Sequence, residues 1–128
     1  MVSNDTDNRK EVNVNNEVSL AVEEVVSICK KVKIDNHTLI FDSFGSSEVR
    51  IKTQEFMDNN DLDIYDCEKI INSLNVSELV AGPIDNYVPN RINKLWIFKH
   101  KHIEKYLYIK LLIFNKRRCV AVISLHKW

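Results

Sequence analysis

Two alternating runs near the end of the chain carry side chains that acid–base chemistry uses. In Leu107-Tyr108-Ile109-Lys110-Leu111, the two-residue period of a strand sends Leu107, Ile109 and Leu111 to one face and Tyr108 and Lys110 to the other. In Ile123-Ser124-Leu125-His126, the same period predicts Ile123 and Leu125 on the core face. Ser124 and His126 then lie opposite, close to the tyrosine and lysine of the neighbouring strand. A phenol, an ammonium and an imidazole on one patch suit phosphodiester cleavage in RNA without a metal. There the 2′-hydroxyl must lose a proton, the phosphorane charge must be neutralised and the leaving 5′-oxygen must gain a proton. His126 is the natural acid or base. Lys110 and Lys99 would neutralise phosphate, and Tyr108 would donate to phosphate or stack on a base. Taken alone, the same trio is more simply the solvated face of a sheet.

Other candidates carry less chemistry. Lys99-His100-Lys101-His102 has two histidines at strand-like spacing, but a metal needs a third or fourth ligand and the flanking lysines oppose a cation. No metal and no cofactor is assigned. Two glycines cannot build a phosphate-cradling loop, and Ser124 lacks the context of a nucleophile elbow. Arg50 and Lys52, at the start of a predicted helix, either reach RNA phosphate or are simply solvated. With Lys99, Lys101 and Arg117 they complete the candidate RNA-binding set.

The elements that position these residues follow from patterning. A chain of 128 residues, 45% hydrophobic, can bury one core and is short for two domains. Residues 1–16 are polar, and a flexible tail is expected, followed by a single domain over 17–128. Leu20, Val22, Val25, Val26, Cys29 and Val32 predict a helix with Ser19 as N-cap. A brief strand is expected within His37–Phe44. Val49, Thr53, Phe56 and Met57 then share one helical face, and Asp63 caps a further helix with Ile64, Cys67, Ile70, Ile71 and Leu74 inward. Gly82-Pro83 and Pro89 punctuate an irregular connection to about Asn93. Leu95–Phe98, Tyr106–Phe114 and Cys119–Leu125 read as three sequential antiparallel strands. Helices first and a meander last make an α+β domain with its helices on one face of an antiparallel sheet of at least three strands.

Charge divides the chain. Residues 91–128 hold ten basic residues against the single acid Glu104, a net of +9; the whole sums to zero, so the rest carries −9. Such asymmetry suggests an anionic partner for the C-terminal third and shielding by the acidic part, or equally a solvated, aggregation-resistant sheet face. Cys29, Cys67 and Cys119 are too far apart for a zinc ribbon and odd in number, so free, mostly buried thiols are expected. No apolar run reaches membrane-spanning length and no signal peptide is legible, which predicts a cytoplasmic protein with no membrane partner.

Leu79-Val80-Ala81-Gly82-Pro83-Ile84-Asp85, Leu95-Trp96-Ile97-Phe98-Lys99, Leu107-Tyr108-Ile109-Lys110-Leu111 and the final run to Ser124-Leu125-His126 stand in an order that resembles the motility quorum-sensing regulator (MqsR) family of toxins. With Arg50-Ile51-Lys52 and the helix ending at Leu74, the resemblance covers roughly residues 20–126. It implies a RelE-like or barnase-like fold, a metal-independent mRNA endoribonuclease acting as the toxin of a type II toxin–antitoxin system, mRNA as substrate and a cognate antitoxin protein as partner. By position, Tyr108 and Lys110 match the family's Tyr-x-Lys strand, and His126 takes the basic position after Ser and an apolar residue in its final strand. Lys99 falls near another polar active-site position. A lysine of the best-known branch is absent, its place falling near Ala81, and the loop after the Trp strand differs. The alternative is therefore a toxin-fold protein without catalysis that binds RNA or a protein partner.

Overall fold

Amphipathic spacing builds the first element seen in the computed structural model, which describes residues 20–41, 47–85 and 93–128. Over α1 (Val22–Lys31), Val25, Val26, Ile28 and Cys29 turn inward. Glu23 and Glu24 occupy its first turn and Lys30 and Lys31 its last, each pair set against the opposite end of the helix dipole. Ala21 stands at the N-cap; Ser19 and the expected tail lie outside the described residues. After β1 (Leu39–Phe41), α2 (Ser47–Asn59) buries Thr53, Phe56 and Met57.

Asp63 starts α3 (Ile64–Asn72) with a reciprocal capping box. Its carboxylate accepts the Asp66 backbone N–H at 2.8 Å, and the Asp66 carboxylate accepts the Asp63 N–H at 2.9 Å. The backbone donation from Asp66 holds the Asp63 carboxyl below its ordinary range. Cys67, Ile70, Ile71 and Leu74 are buried as expected. Ile64 is not: it occupies the first helical position, lines a surface cavity with Phe41, Arg50 and Met57, and stays 39% exposed.

A short 3-10 turn (Val76–Glu78) leads into β2 (Leu79–Ile84), and β3 (Leu95–His102), β4 (Lys105–Phe114) and β5 (Cys119–Lys127) follow. Gly82-Pro83 therefore belongs to a strand and not to the irregular connection expected there. Two physical facts permit this. Gly82 has φ +140°, where a Cβ would also lie 2.8 Å from Cε3 of Trp96. Pro83 sits on a strand at the margin of the sheet, where the pairing to β3 is already interrupted by register shifts.

The five strands run in the order β1-β5-β4-β3-β2. The last four are antiparallel neighbours, while β1 pairs parallel with β5 through Leu39, Ile40 and Phe41 opposite Val120, Ala121 and Val122. The sheet is thus mixed rather than antiparallel throughout, because a strand that precedes α2 and α3 returns beside the final strand.

All three described helices pack on one face. Trp96, Phe98, Leu107, Ile109, Leu111, Ile113, Val120, Val122 and Leu125 meet Val25, Ile28, Cys29, Phe56, Cys67, Ile71 and Leu74 there. Each fully buried aliphatic side chain contributes about 1.5–3 kcal/mol. Burial in this core pushes the Cys29 and Cys67 thiols up to about 12, while Cys119 is partly exposed; none is in a disulfide. A second, smaller cluster of Leu95, Leu112, Phe114, Ala121 and Ile123 occupies the opposite face.

Ile123 in that second cluster departs from the expected alternation. Lys110 pairs with Ser124 but the next residue, Leu111, pairs with Val122, so β5 carries one extra residue, Ile123. This β-bulge breaks the period. Val122 and Leu125 face the helices, Ile123 joins the opposite face, and Ser124 and His126 remain opposite Lys110 and Tyr108.

Candidate active site

The face opposite the described helices divides at Lys110. Towards the 115–118 turn it is apolar, and towards the 103–104 turn it becomes basic and aromatic. Register places the latter residues in rows across three strands. Ile97, Lys110 and Ser124 form one row and Lys99, Tyr108 and His126 the next; Lys101 and Tyr106 begin a third, which Trp128 completes by donating its backbone N–H to the Tyr106 carbonyl at 2.9 Å. Neighbouring strands are about 4.8 Å apart and successive rows about 7 Å apart, so these side chains share one small area.

Within the central row the rings touch. Tyr108 and His126 stack with centroids 5.0 Å apart and planes inclined by 16°, and the Trp128 ring leans on Tyr108 at 5.7 Å and 47°. Both central side chains are half-buried. His126 Nδ1 lies 2.9 Å from the Lys127 carbonyl oxygen. A carbonyl only accepts, so Nδ1 carries the proton, and in the neutral ring Nε2 is left as the proton acceptor. Desolvation raises the Tyr108 phenol above its ordinary value.

No protein-family model, curated protein or solved structure matches the chain.

The cations are arranged around this pair. Lys99 Nζ rests 4.9 Å from the Tyr106 ring centroid and 4.8 Å from that of Trp128, and Lys101 Nζ is 5.9 Å from Tyr106. Among the described residues, ion pairs join Lys33 to Glu68, Lys94 to Asp85, His100 to Glu78 and Arg118 to Glu24; none involves Lys99, Lys101 or Lys110. Acids of the front half thus meet part of the basic C-terminal third, but not the lysines of this face.

The remaining sequence candidates lie elsewhere. Arg50 is exposed on α2 and lines the cavity that also touches Val122 and Ile123, beside the bulge. Lys52 is exposed on the same helix. Arg117 sits in the β4–β5 turn, its guanidinium 5.4 Å from the Phe114 ring. Phe114 lies six positions beyond Tyr108 along β4, about 20 Å, so Arg117 is at the far end of the sheet from His126.

The Lys-His-Lys-His run is split by the pleat. Lys99 and Lys101 take the face opposite the described helices, while His100 turns inward, where its Nδ1 lies 2.9 Å from a Glu78 carboxylate oxygen. Among the described residues no group of three or more His, Cys, Asp or Glu could hold a metal ion. No helix among them is long and apolar enough to cross a membrane.

Sequence reasoning missed Tyr106 and Trp128. The signal was present: continuing the alternation of β4 backwards from Tyr108, and that of β5 forwards from His126, puts both on the same face.

Proposed function

We propose that this chain is an endoribonuclease of the mRNA interferase type, with a RelE-like fold, acting as the toxin of a type II toxin–antitoxin pair in the cytoplasm. One observation carries the reading: Tyr108 and His126 stack across two strands on the face opposite the described helices, with Lys110 and Lys99 in adjoining positions. The resemblance in motif order to the MqsR family supports the same conclusion.

The chemistry follows from the site. His126 Nε2 takes the proton of the ribose 2′-hydroxyl, and the 2′-oxygen attacks the adjoining phosphorus. Lys110 and Lys99 neutralise the charge that builds on the phosphorane. Tyr108 protonates the departing 5′-oxygen as the P–O5′ bond breaks, leaving a 2′,3′-cyclic phosphate and a 5′-hydroxyl. Solvent then takes the proton from the histidinium and returns one to the phenolate, which restores both groups. The neutralising partner of this reading is a cognate antitoxin protein.

Controlled expression in a bacterial host, with growth followed and the 5′ ends of cellular mRNA mapped, tests the reading. Arrest accompanied by new cleavage sites, both lost in folded His126→Ala, is the expected result. A folded wild type that binds RNA yet leaves growth and transcripts unchanged would instead make this a binding protein.

A further inference from the structure

We propose that Tyr106 and Trp128, with Lys99 between them, form a subsite for one unpaired nucleotide beside the scissile bond. Its base stacks on the Trp128 indole and its phosphate is held by Lys99 and Lys101. The inference rests on the RNA-cleaving reading only for its position next to the reacting phosphate.

Large rings are normally drawn into a core, yet Tyr106 and Trp128 remain 50% and 49% exposed. They are nonetheless held in place. Backbone pairing fixes Trp128 against Tyr106, and the Lys99 ammonium lies within 5 Å of both centroids. Indole faces suit stacking with bases, and the neighbouring lysines supply the charge that a nucleotide's phosphate requires. The contact of Trp128 with Tyr108, and of Tyr108 with His126, makes a continuous strip of rings from this shelf to the proposed base. A base lying on the indole therefore brings its own sugar–phosphate towards Tyr108 and His126. Bases inside a duplex are already stacked on one another, so the shelf selects single strands.

The test measures fluorescence anisotropy of a short labelled 2′-deoxy oligonucleotide, which lacks the attacking hydroxyl and cannot be cleaved. An abasic oligonucleotide of equal length and polyglutamate serve as comparisons. Base–aromatic stacking predicts that Trp128→Ala weakens binding of the base-bearing strand about five- to hundred-fold. The same variant should leave the abasic strand unchanged, and Trp128→Phe should retain most of the affinity. Lys99→Ala should weaken both strands and flatten the salt dependence.

Equal loss on both strands, loss on neither, or no binding by the wild type overturns the subsite. So does polyglutamate binding as tightly as the base-bearing strand, which would mark a face for an acidic protein. The chain has two tryptophans, so in Trp128→Ala the emission of buried Trp96 alone reports the fold. Base-dependent binding by a wild type that cleaves no RNA would keep the subsite and remove the nuclease. Cleavage with binding unaffected by Trp128→Ala would do the reverse.

Discussion

Thr53 on α2 accepts the backbone N–H of Leu125 on β5 at 3.2 Å. Among the described residues, β1 covers the edge of β5 as far as Val122. Beyond the bulge, the strand that carries His126 meets α2 through this contact. Thr53→Val keeps the shape of the side chain but leaves a buried N–H without its acceptor, at a cost of about 1–3 kcal/mol. The urea midpoint should fall with an unchanged slope. A midpoint equal to that of the wild type would mean that α2 does not hold this strand.

Ile103 opens the two-residue turn between His102 and Lys105 with φ 57°, a region that β-branched residues rarely enter, and its side chain is 78% exposed. Little packing is lost on replacing it. Ile103→Asn, which tolerates this backbone conformation, should therefore stabilise the protein by about 1 kcal/mol, read as a higher melting temperature. A lower melting temperature would show that the isoleucine makes a stabilising contact at this hairpin.

The helices were legible because their apolar residues recur at helical spacing and Asp63 announces a cap. The placement of Tyr108, Lys110 and His126 on one face was legible for the corresponding reason in strands. Ile123 was misread because a bulge leaves no mark in a run of Val, Ile and Leu; only the pairing of Leu111 with Val122 reveals it. The parallel pairing of β1 was hidden for a different reason. Three residues carry no direction, and their partner lies some eighty residues further along the chain. Gly82-Pro83 looked like part of an irregular connection, since local signals cannot tell a loop from a strand at the margin of a sheet.

Tyr108 gives a pH prediction with a definite sign. Its phenol is raised above its ordinary value by desolvation, so the folded protein holds this proton where the unfolded chain has lost it. Below about pH 10 both states are protonated and the residue adds no pH dependence. Above that, stability falls as the pH rises through the folded value. Tyr108→Phe should flatten this alkaline decline and remove a late component from the phenolate absorbance titration. Removal of an early component instead would place the phenol in open water.

The central claim is that Tyr108 and His126 act together on an RNA phosphodiester. The most direct measurement incubates purified protein and single-stranded RNA with a chelator, and identifies the termini of the products. The account predicts 2′,3′-cyclic phosphate and 5′-hydroxyl ends, with rates at least about 100-fold lower in His126→Ala and Tyr108→Phe of unchanged fold. Products with 5′-phosphate ends, or undiminished cleavage by both variants, would contradict it.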